Sequence, residues 1–252
     1  MTPILETKLP NVGTTIFTVM SALATEHQAV NLGQGFPDFG CDPALIDAVS
    51  DAMREGLNQY PSMLGVLELR QAIAQKIQNL YHKAYDPATE ITVTAGATQA
   101  IINAILAVVR AGDEVIVLEP CYDSYIPNIE LAGGTVVRVP LTPGSFRPDF
   151  DRISAAITPR TRAILINTPH NPTGAVLTAE DILALGRVAK AHDLWILSDE
   201  VYEELIFADG KFASPLDVAD LADRTVAVAS ISKSHAAPGF RSGWAVGPEE
   251  FV

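Results

Sequence analysis

The chain has 252 residues, with 17 Lys plus Arg against 30 Asp plus Glu and a net charge of −13. Hydrophobic residues make up 48% of it, which excludes a disordered protein, and the acidity argues against a nucleic-acid partner. No apolar run reaches the roughly 18 residues that span a membrane. The N-terminus also lacks a signal-peptide pattern, so we expect a cytoplasmic protein without a membrane partner.

Apolar runs and amphipathic segments alternate along most of the chain. The apolar runs predict strands, in chain order, at 90–96, 113–120, 135–141, 161–169, 194–200 and 225–232, with a possible last strand at 241–247. Helical periodicity marks segments between them, at 98–112, 124–134, 147–158 and 178–193, the last with Thr178 as N-cap. We therefore predict an α/β fold of three layers, with helices on both faces of a mostly parallel sheet.

Residues 1–40 do not alternate in this way, and we interpret them as an N-terminal arm or small-domain segment. Residues 41–252 form the predicted large domain. The printed sequence stops directly after an apolar, strand-like run. We therefore expect the large domain to be incomplete and a C-terminal small domain to be absent.

Polar residues or glycine follow the predicted strands, at the edge where parallel sheets bind ligands. They are Gly96, Tyr122, Asn171, Asp199 and Lys233. Taken singly, most have an ordinary explanation as a turn, a helix cap or part of the turn-rich loop "NTPHNPTG". The segment "TAGATQA" runs directly into a helix, so Ala97 and Thr98 would present free N–H groups to a phosphate.

Lys233 differs from the others because it directly follows the apolar run "TVAVASIS". A lysine at the end of a buried strand costs free energy unless it is paired or chemically engaged. Desolvation or a neighbouring cation lowers the pKa of an amine and frees it to form a Schiff base. Arg241 follows eight residues later, with a guanidinium group that can bind a phosphate. The sequence has no P-loop and no HExxH, and its five histidines are too scattered to predict a metal site.

Four segments, "VTAGATQA", "NTPHNPTG", "SDEVYEEL" and "SISKSHAAPGFRSGW", together resemble the pyridoxal-phosphate aminotransferases of fold type I. The last is similar to the S-x-S-K…G-x-R-x-G pattern around the cofactor lysine of that family. The resemblance implies a homodimer that transfers an amino group from an L-amino acid to a 2-oxo acid.

The resemblance also implies a role for each candidate residue. Lys233 would hold pyridoxal 5′-phosphate through a Schiff base and act as general base, and Asp199 would pair with the pyridinium nitrogen. Asn171 and Tyr202 would hydrogen-bond the ring oxygen, while Tyr122 would stack on the ring. Several residues would together bind the phosphate: Gly96, Ala97, Thr98, Ser230, Ser232 and Arg241, with Tyr60 from a second subunit.

The N-terminal segments narrow the substrate class. "NLGQGFPDF" (31–39) and "NQYPSMLGVLELRQAIA" (58–74) are similar to methionine and kynurenine–glutamine aminotransferases. In that subgroup the backbone at Gly35 would lie near the substrate carboxylate, and Asn171 would also contact the substrate. "KSHAAPGFR" instead resembles transaminases with other donors, including arginine. The donor therefore stays open among methionine, aromatic and glutamine-like amino acids, and we expect the arginine that binds the substrate carboxylate beyond residue 252.

Two alternatives to an aminotransferase stay open. A C–S β-lyase would use the same lysine and aspartate, with the outcome set by the substrate and by contacts from the small domain. A shortened chain would bind the cofactor but be catalytically impaired.

Overall fold

The computed structural model describes residues 6–10, 12–35, 37–207 and 210–252, so Phe36 of the "NLGQGFPDF" segment lies outside the described residues. The helices are α1 (Ile16–Glu26), α2 (Pro43–Arg54), α3 (Leu67–Tyr81), α4 (Ala97–Val108), α5 (Tyr125–Leu131), α6 (Phe150–Ala155), α7 (Ala179–Ala191) and α8 (Ile231–Ser234). The strands are β1 (Ile91–Thr94), β2 (Glu114–Glu119), β3 (Thr135–Pro140), β4 (Thr161–Asn167), β5 (Trp195–Asp199), β6 (Thr225–Ser230) and β7 (Gly243–Val246). No helix within the described ranges is long and apolar enough to cross a membrane.

The strands form one sheet in the order β1-β7-β6-β5-β4-β2-β3. β7 runs antiparallel to both of its neighbours, β1 and β6. The other neighbouring pairs are parallel, so the mostly parallel sheet predicted from the sequence is confirmed. The carboxyl ends of β4, β5 and β6 consequently lie side by side at one edge.

Helices cover both faces of the sheet because successive side chains of a strand point to opposite faces. Val115 of β2 packs with α4 and α5, whereas its neighbour Ile116 packs with α6 and α7. In β6, Val226 likewise belongs to the α4 face, while Ala227 packs with α3. The predicted three-layer architecture is therefore confirmed.

Most predicted elements are shorter in the structure by a few residues, and the end of β6 matters most for the site. β6 ends at Ser230 rather than at residue 232, because the Ser230 side chain accepts a hydrogen bond from the Ser232 N–H at 3.3 Å and caps α8. Lys233 therefore lies on a short helix and not on the strand itself.

The three N-terminal helices have no counterpart among the predicted elements. For α2 the sequence did contain a signal, since Asp42 caps the helix and Pro43 occupies its first position. α1 lies within the segment interpreted as an arm, and neither α1 nor α2 has a buried residue.

An ionic network joins α3 to the segment after β5. Lys76 and Tyr81 of α3 both contact the Glu203 carboxylate. Lys76 also pairs with Glu204 at 2.9 Å. Tyr81 is 8% exposed and packs with the core residues between α3 and the sheet. The network therefore lies on the face of the sheet that α3 covers.

Glu200 lies beside this network and is 2% exposed. Ser198 and Ser214 donate hydrogen bonds to its Oε1 at 2.7 and 2.8 Å. Burial, followed by repulsion from Glu203, raises the pKa of Glu200 to about 8, against the two serine hydrogen bonds, which lower it. The folded protein therefore holds a proton at neutral pH that the unfolded chain releases.

We predict that Glu200→Gln stabilises the protein increasingly as the pH rises from about 5 to about 8. A carboxyl group with a raised folded-state pKa contributes its full stability below the unfolded pKa, and this is lost as the pH rises through the folded pKa. Glutamine keeps an Oε1 acceptor for both serines and does not ionise. Tm is measured by thermal unfolding for both chains at about pH 5 and about pH 8. The gain in Tm of the variant over the original chain should be larger at about pH 8 by about 4 °C or more.

The exposed residue Glu130 provides a control for the change of charge. Glu130→Gln should shift Tm by a similar small amount at both pH values. A pH-independent difference between Glu200→Gln and the original chain would contradict the prediction.

Candidate active site

A pocket of about 710 Å³ opens where β4, β5 and β6 end. Residues that are distant in the sequence meet here, because the parallel strands present their carboxyl ends at one edge. Most of the predicted site residues line it: Gly35, Ala97, Thr98, Tyr122, Asn171, Asp199, Tyr202, Ser230, Ser232, Lys233 and Arg241.

The start of α4 and Arg241 bring groups that attract anions to one part of the pocket. Ala97 and Thr98 are the first two residues of α4, and their N–H groups have no acceptor in the described part of the chain. Arg241 donates from Nη2 to the carbonyl oxygen of Ala95 at 3.3 Å and from Nη1 to that of Pro238 at 3.1 Å. These bonds hold the guanidinium beside the helix N-terminus, and both groups attract a phosphate.

Two glycines permit this close approach. Gly96 precedes α4 with a φ of +84°, and a Cβ there would collide with the Arg241 guanidinium. Gly243 of β7 packs against the same turn, where a Cβ would lie 2.6 Å from the Ala97 nitrogen. Gly96 is not among the residues that line the pocket, and its lack of a side chain makes room for the arginine.

Asp199 supplies a buried carboxylate at the end of β5 and is 6% exposed. It accepts hydrogen bonds from the Tyr125 hydroxyl to Oδ2 at 2.6 Å and from the Val201 N–H to Oδ1 at 3.2 Å. Burial raises the pKa of Asp199 to about 6, against these two hydrogen bonds and the Lys233 charge, which lower it. A carboxylate held in this way can pair with a cationic ring nitrogen.

Lys233 enters the pocket from α8 and is half-buried. Its Nζ lies 5.8 Å from the centroid of the Tyr202 ring, close enough for a cation–π contact. Burial, followed by the Asp199 charge, raises the pKa of Tyr202, so its hydroxyl stays protonated and can donate a hydrogen bond. The pocket thus combines an amine, a carboxylate and a phenol.

Asn167 was missed by the sequence reasoning. Its side chain donates to the Asp199 carbonyl oxygen at 2.9 Å and accepts from the Asn171 N–H at 2.6 Å. It therefore fixes the loop that carries Asn171 against β5. The signal was present, because Asn167 ends a buried apolar run just as Asp199 does.

Tyr125 and several pocket residues of the N-terminal segment were missed as well. Tyr125 is the first residue of α5, and no local pattern distinguishes it from a core residue. Four residues in and around α1 that were not predicted also line the pocket: Thr15, Phe17, Thr18 and Ser21. Gln34, beside the predicted Gly35, also lines it.

Tyr60 lies outside this pocket. It is in the loop between α2 and α3, and its side chain is fully exposed in the single chain. Its predicted contact with a phosphate in a second subunit stays a prediction.

The fold and the pocket are those expected of a protein that binds a phosphorylated, amine-reactive cofactor. A three-layer α/β domain carries a strand-end pocket that brings together a buried carboxylate, an amine and groups able to attract an anion. That arrangement fits a phosphorylated ring with a cationic nitrogen and a group that reacts with amines.

Comparisons with known proteins identify the family. The family description "Aminotransferase class I and II" matches residues 27–252, and the chain belongs to this family, whose members use pyridoxal 5′-phosphate. The chain is 47% identical over 243 residues to methionine aminotransferase of Escherichia coli, covering 96% of this chain and 63% of that protein. A solved Escherichia coli structure with an identified methionine aminotransferase function matches at a TM-score of 0.96 and 46% identity, covering 99% of this chain and 65% of that one.

Other relatives carry different substrate names. A probable N-succinyldiaminopimelate aminotransferase of Mycobacterium tuberculosis is 46% identical over 241 residues, covering 95% of this chain and 61% of that protein. An arginine–pyruvate transaminase of Pseudomonas aeruginosa is 42% identical over 218 residues, covering 86% of this chain and 55% of that protein. The chain thus spans less than two thirds of the length of these curated relatives.

We predict that Gly243→Ala weakens phosphate binding and destabilises the protein. The new Cβ would lie 2.6 Å from the Ala97 nitrogen, so β7 or the start of α4 must move. The expected loss is about 1–3 kcal/mol in the free energy of unfolding, measured with urea. We also expect about a tenfold higher Kd for pyridoxal 5′-phosphate, measured by calorimetry.

Gly239→Ala is the matched control, because no atom lies within 4 Å of the added Cβ. It should leave both the stability and the Kd nearly unchanged. Equal behaviour of the two variants would show that the packing of β7 on α4 does not set the phosphate site.

Proposed function

We propose that this chain carries the cofactor site of a pyridoxal-phosphate-dependent aminotransferase that moves an amino group from an L-amino acid to a 2-oxo acid. The observation that carries the proposal is the convergence of Lys233, Asp199 and Arg241 on one pocket. Family membership supports it. The relatives' names differ in amino donor, so we keep the broad donor class predicted from the sequence: methionine, aromatic or glutamine-like amino acids.

The residues of the pocket fit the cofactor's phosphate. The N–H groups of Ala97 and Thr98 and the Arg241 guanidinium would bind it, helped by the hydroxyls of Ser230 and Ser232. When bound, the cofactor supplies an aldehyde that combines with amines and a cationic ring that withdraws electrons.

Four side chains would hold and orient the ring. Asp199 would keep the ring nitrogen protonated, because a buried carboxylate is stabilised by an adjacent cation. Asn171 and Tyr202 would donate hydrogen bonds to the ring oxygen. Tyr122 would stack on the ring, and its own orientation is supported by an edge-on contact with Tyr125, with centroids 5.6 Å apart.

Lys233 would have two tasks. Its amine would be the attachment point for the cofactor aldehyde, since it is the one lysine that lines the described pocket. Once released, the same Nζ would act as the base that removes the proton from the substrate Cα. The backbone at Gly35 and the side chain of Asn171 would contact the substrate.

We further propose a cytoplasmic homodimer in which residues 1–40 form an arm and residues 41–252 the cofactor-binding domain. Tyr60 of one subunit would contact the phosphate in the other. Its surroundings support an interface, because Leu57 and Met63 in the same loop are also strongly exposed.

We expect Lys233→Ala to abolish covalent retention of the cofactor. Reduction of the loaded protein with borohydride should fix the cofactor on the peptide that contains Lys233, as detected by mass spectrometry. Lys190→Ala removes a surface amine paired with Asp220 and should retain the label. Labelling of a different lysine, or of none, would refute the assignment of Lys233.

We expect Arg241→Ala to weaken binding of pyridoxal 5′-phosphate by about 10- to 100-fold, because a charged hydrogen-bonding partner of the phosphate is lost. The affinity for pyridoxal, which lacks the phosphate, should change by less than about threefold. Arg187→Ala, on the exposed side of α7, controls for the loss of positive charge. An equal effect on both ligands would show that Arg241 acts on the fold rather than on the phosphate.

A further inference from the structure

Tyr125 lies between two residues that the proposed function places on the cofactor ring. Its side chain is 1% exposed at the start of α5. Its hydroxyl donates to Asp199 Oδ2 at 2.6 Å. Its ring meets that of Tyr122 edge-on, with centroids 5.6 Å and planes 77° apart. One buried side chain therefore contacts both the carboxylate and the aromatic ring of the site.

The direction of the hydrogen bond is fixed by burial. Desolvation, followed by the charge of Asp199, raises the pKa of Tyr125 well above its usual value. The phenol therefore stays protonated and acts as the donor, and Asp199 as the acceptor. Since Val201 N–H binds the other carboxylate oxygen, both oxygens of Asp199 are held.

A phenol suits this position for an electrostatic reason. A lysine or arginine next to Asp199 would neutralise the carboxylate and compete with a cationic ring for it. A neutral donor stabilises the negative charge in the buried site without offering a competing cation. The carboxylate thus stays anionic and oriented.

We propose that Tyr125 is a positioning residue that acts on the cofactor's ring nitrogen through Asp199. The inference rests on the proposed function, and it adds a residue that makes no proposed contact with the cofactor itself. The effect is carried by the hydroxyl, while the Tyr125 ring supports Tyr122. Tyr125→Phe separates the two roles, because it keeps the ring and removes only the donor.

The test compares binding of pyridoxal 5′-phosphate with binding of its 1-deaza analogue, in which C–H replaces the ring nitrogen. The original chain should prefer the natural cofactor, because only that ligand engages Asp199. Tyr125→Phe should reduce this preference by about tenfold, with less than about a threefold change in affinity for the analogue.

Tyr85→Phe is the matched control. Tyr85 is 7% exposed and packs with the α3 face of the sheet, and its hydroxyl has no hydrogen-bond partner among the residues described. Its loss should leave the preference between the two ligands unchanged.

A second measurement places Tyr125→Phe in an Asp199→Asn background. If the hydroxyl acts through Asp199, its removal there should change cofactor affinity by less than about twofold. An unchanged preference in Tyr125→Phe, or equal weakening of both ligands, would overturn the inference and leave the proposed function standing. If the original chain does not distinguish the two ligands, the proposed contact of Asp199 with the ring fails, and the role of Tyr125 fails with it.

Discussion

The site depends on two neighbouring acidic residues at the end of β5, Asp199 and Glu200, which lie in different environments. Asp199 lines the pocket and Glu200 borders the α3 network, as the alternation of side chains along a strand requires. Burial raises the pKa of both, to about 6 and about 8. Hydrogen bonds lower the pKa of both groups, but the Lys233 charge also lowers that of Asp199, whereas the charges of Glu203 and Asp199 raise that of Glu200. Asp199 can therefore be ionised near neutral pH and pair with a cationic ligand. Glu200 stays protonated at that pH and contributes to the packing of the fold.

The same electrostatics define what the pocket can hold. A buried carboxylate is stabilised by a cation, and the N–H groups at the start of α4 together with Arg241 are stabilised by an anion. A ligand with a phosphate at one end and a cationic ring at the other meets both requirements. The net charge of −13 does not prevent anion binding, because charges beyond about 8 Å are largely screened at physiological salt. Local groups therefore decide which ligand is bound.

Much of this arrangement could be predicted from the sequence because buried strands leave strong apolar runs. Asp199 and Lys233 stood out as charged residues at the ends of such runs, and their place in the pocket agrees with that reasoning. The end of β6 could not be predicted in this way, since the hydrogen bond by which Ser230 caps α8 leaves no mark on the apolar pattern. The contact of Tyr125 with Asp199 joins residues 74 positions apart, and no local spacing encodes it.

The two sides of the pocket differ in how firmly they are held. The side that would bind the cofactor is built on α4 and on the ends of β5 and β6, whose residues belong to the buried core. The other side includes α1, none of whose residues is buried in the described chain. A shared cofactor requires fixed geometry, whereas a substrate that differs among relatives requires a wall that can vary. A substitution on the α1 side of the pocket therefore disturbs less of the buried core than one on the sheet side.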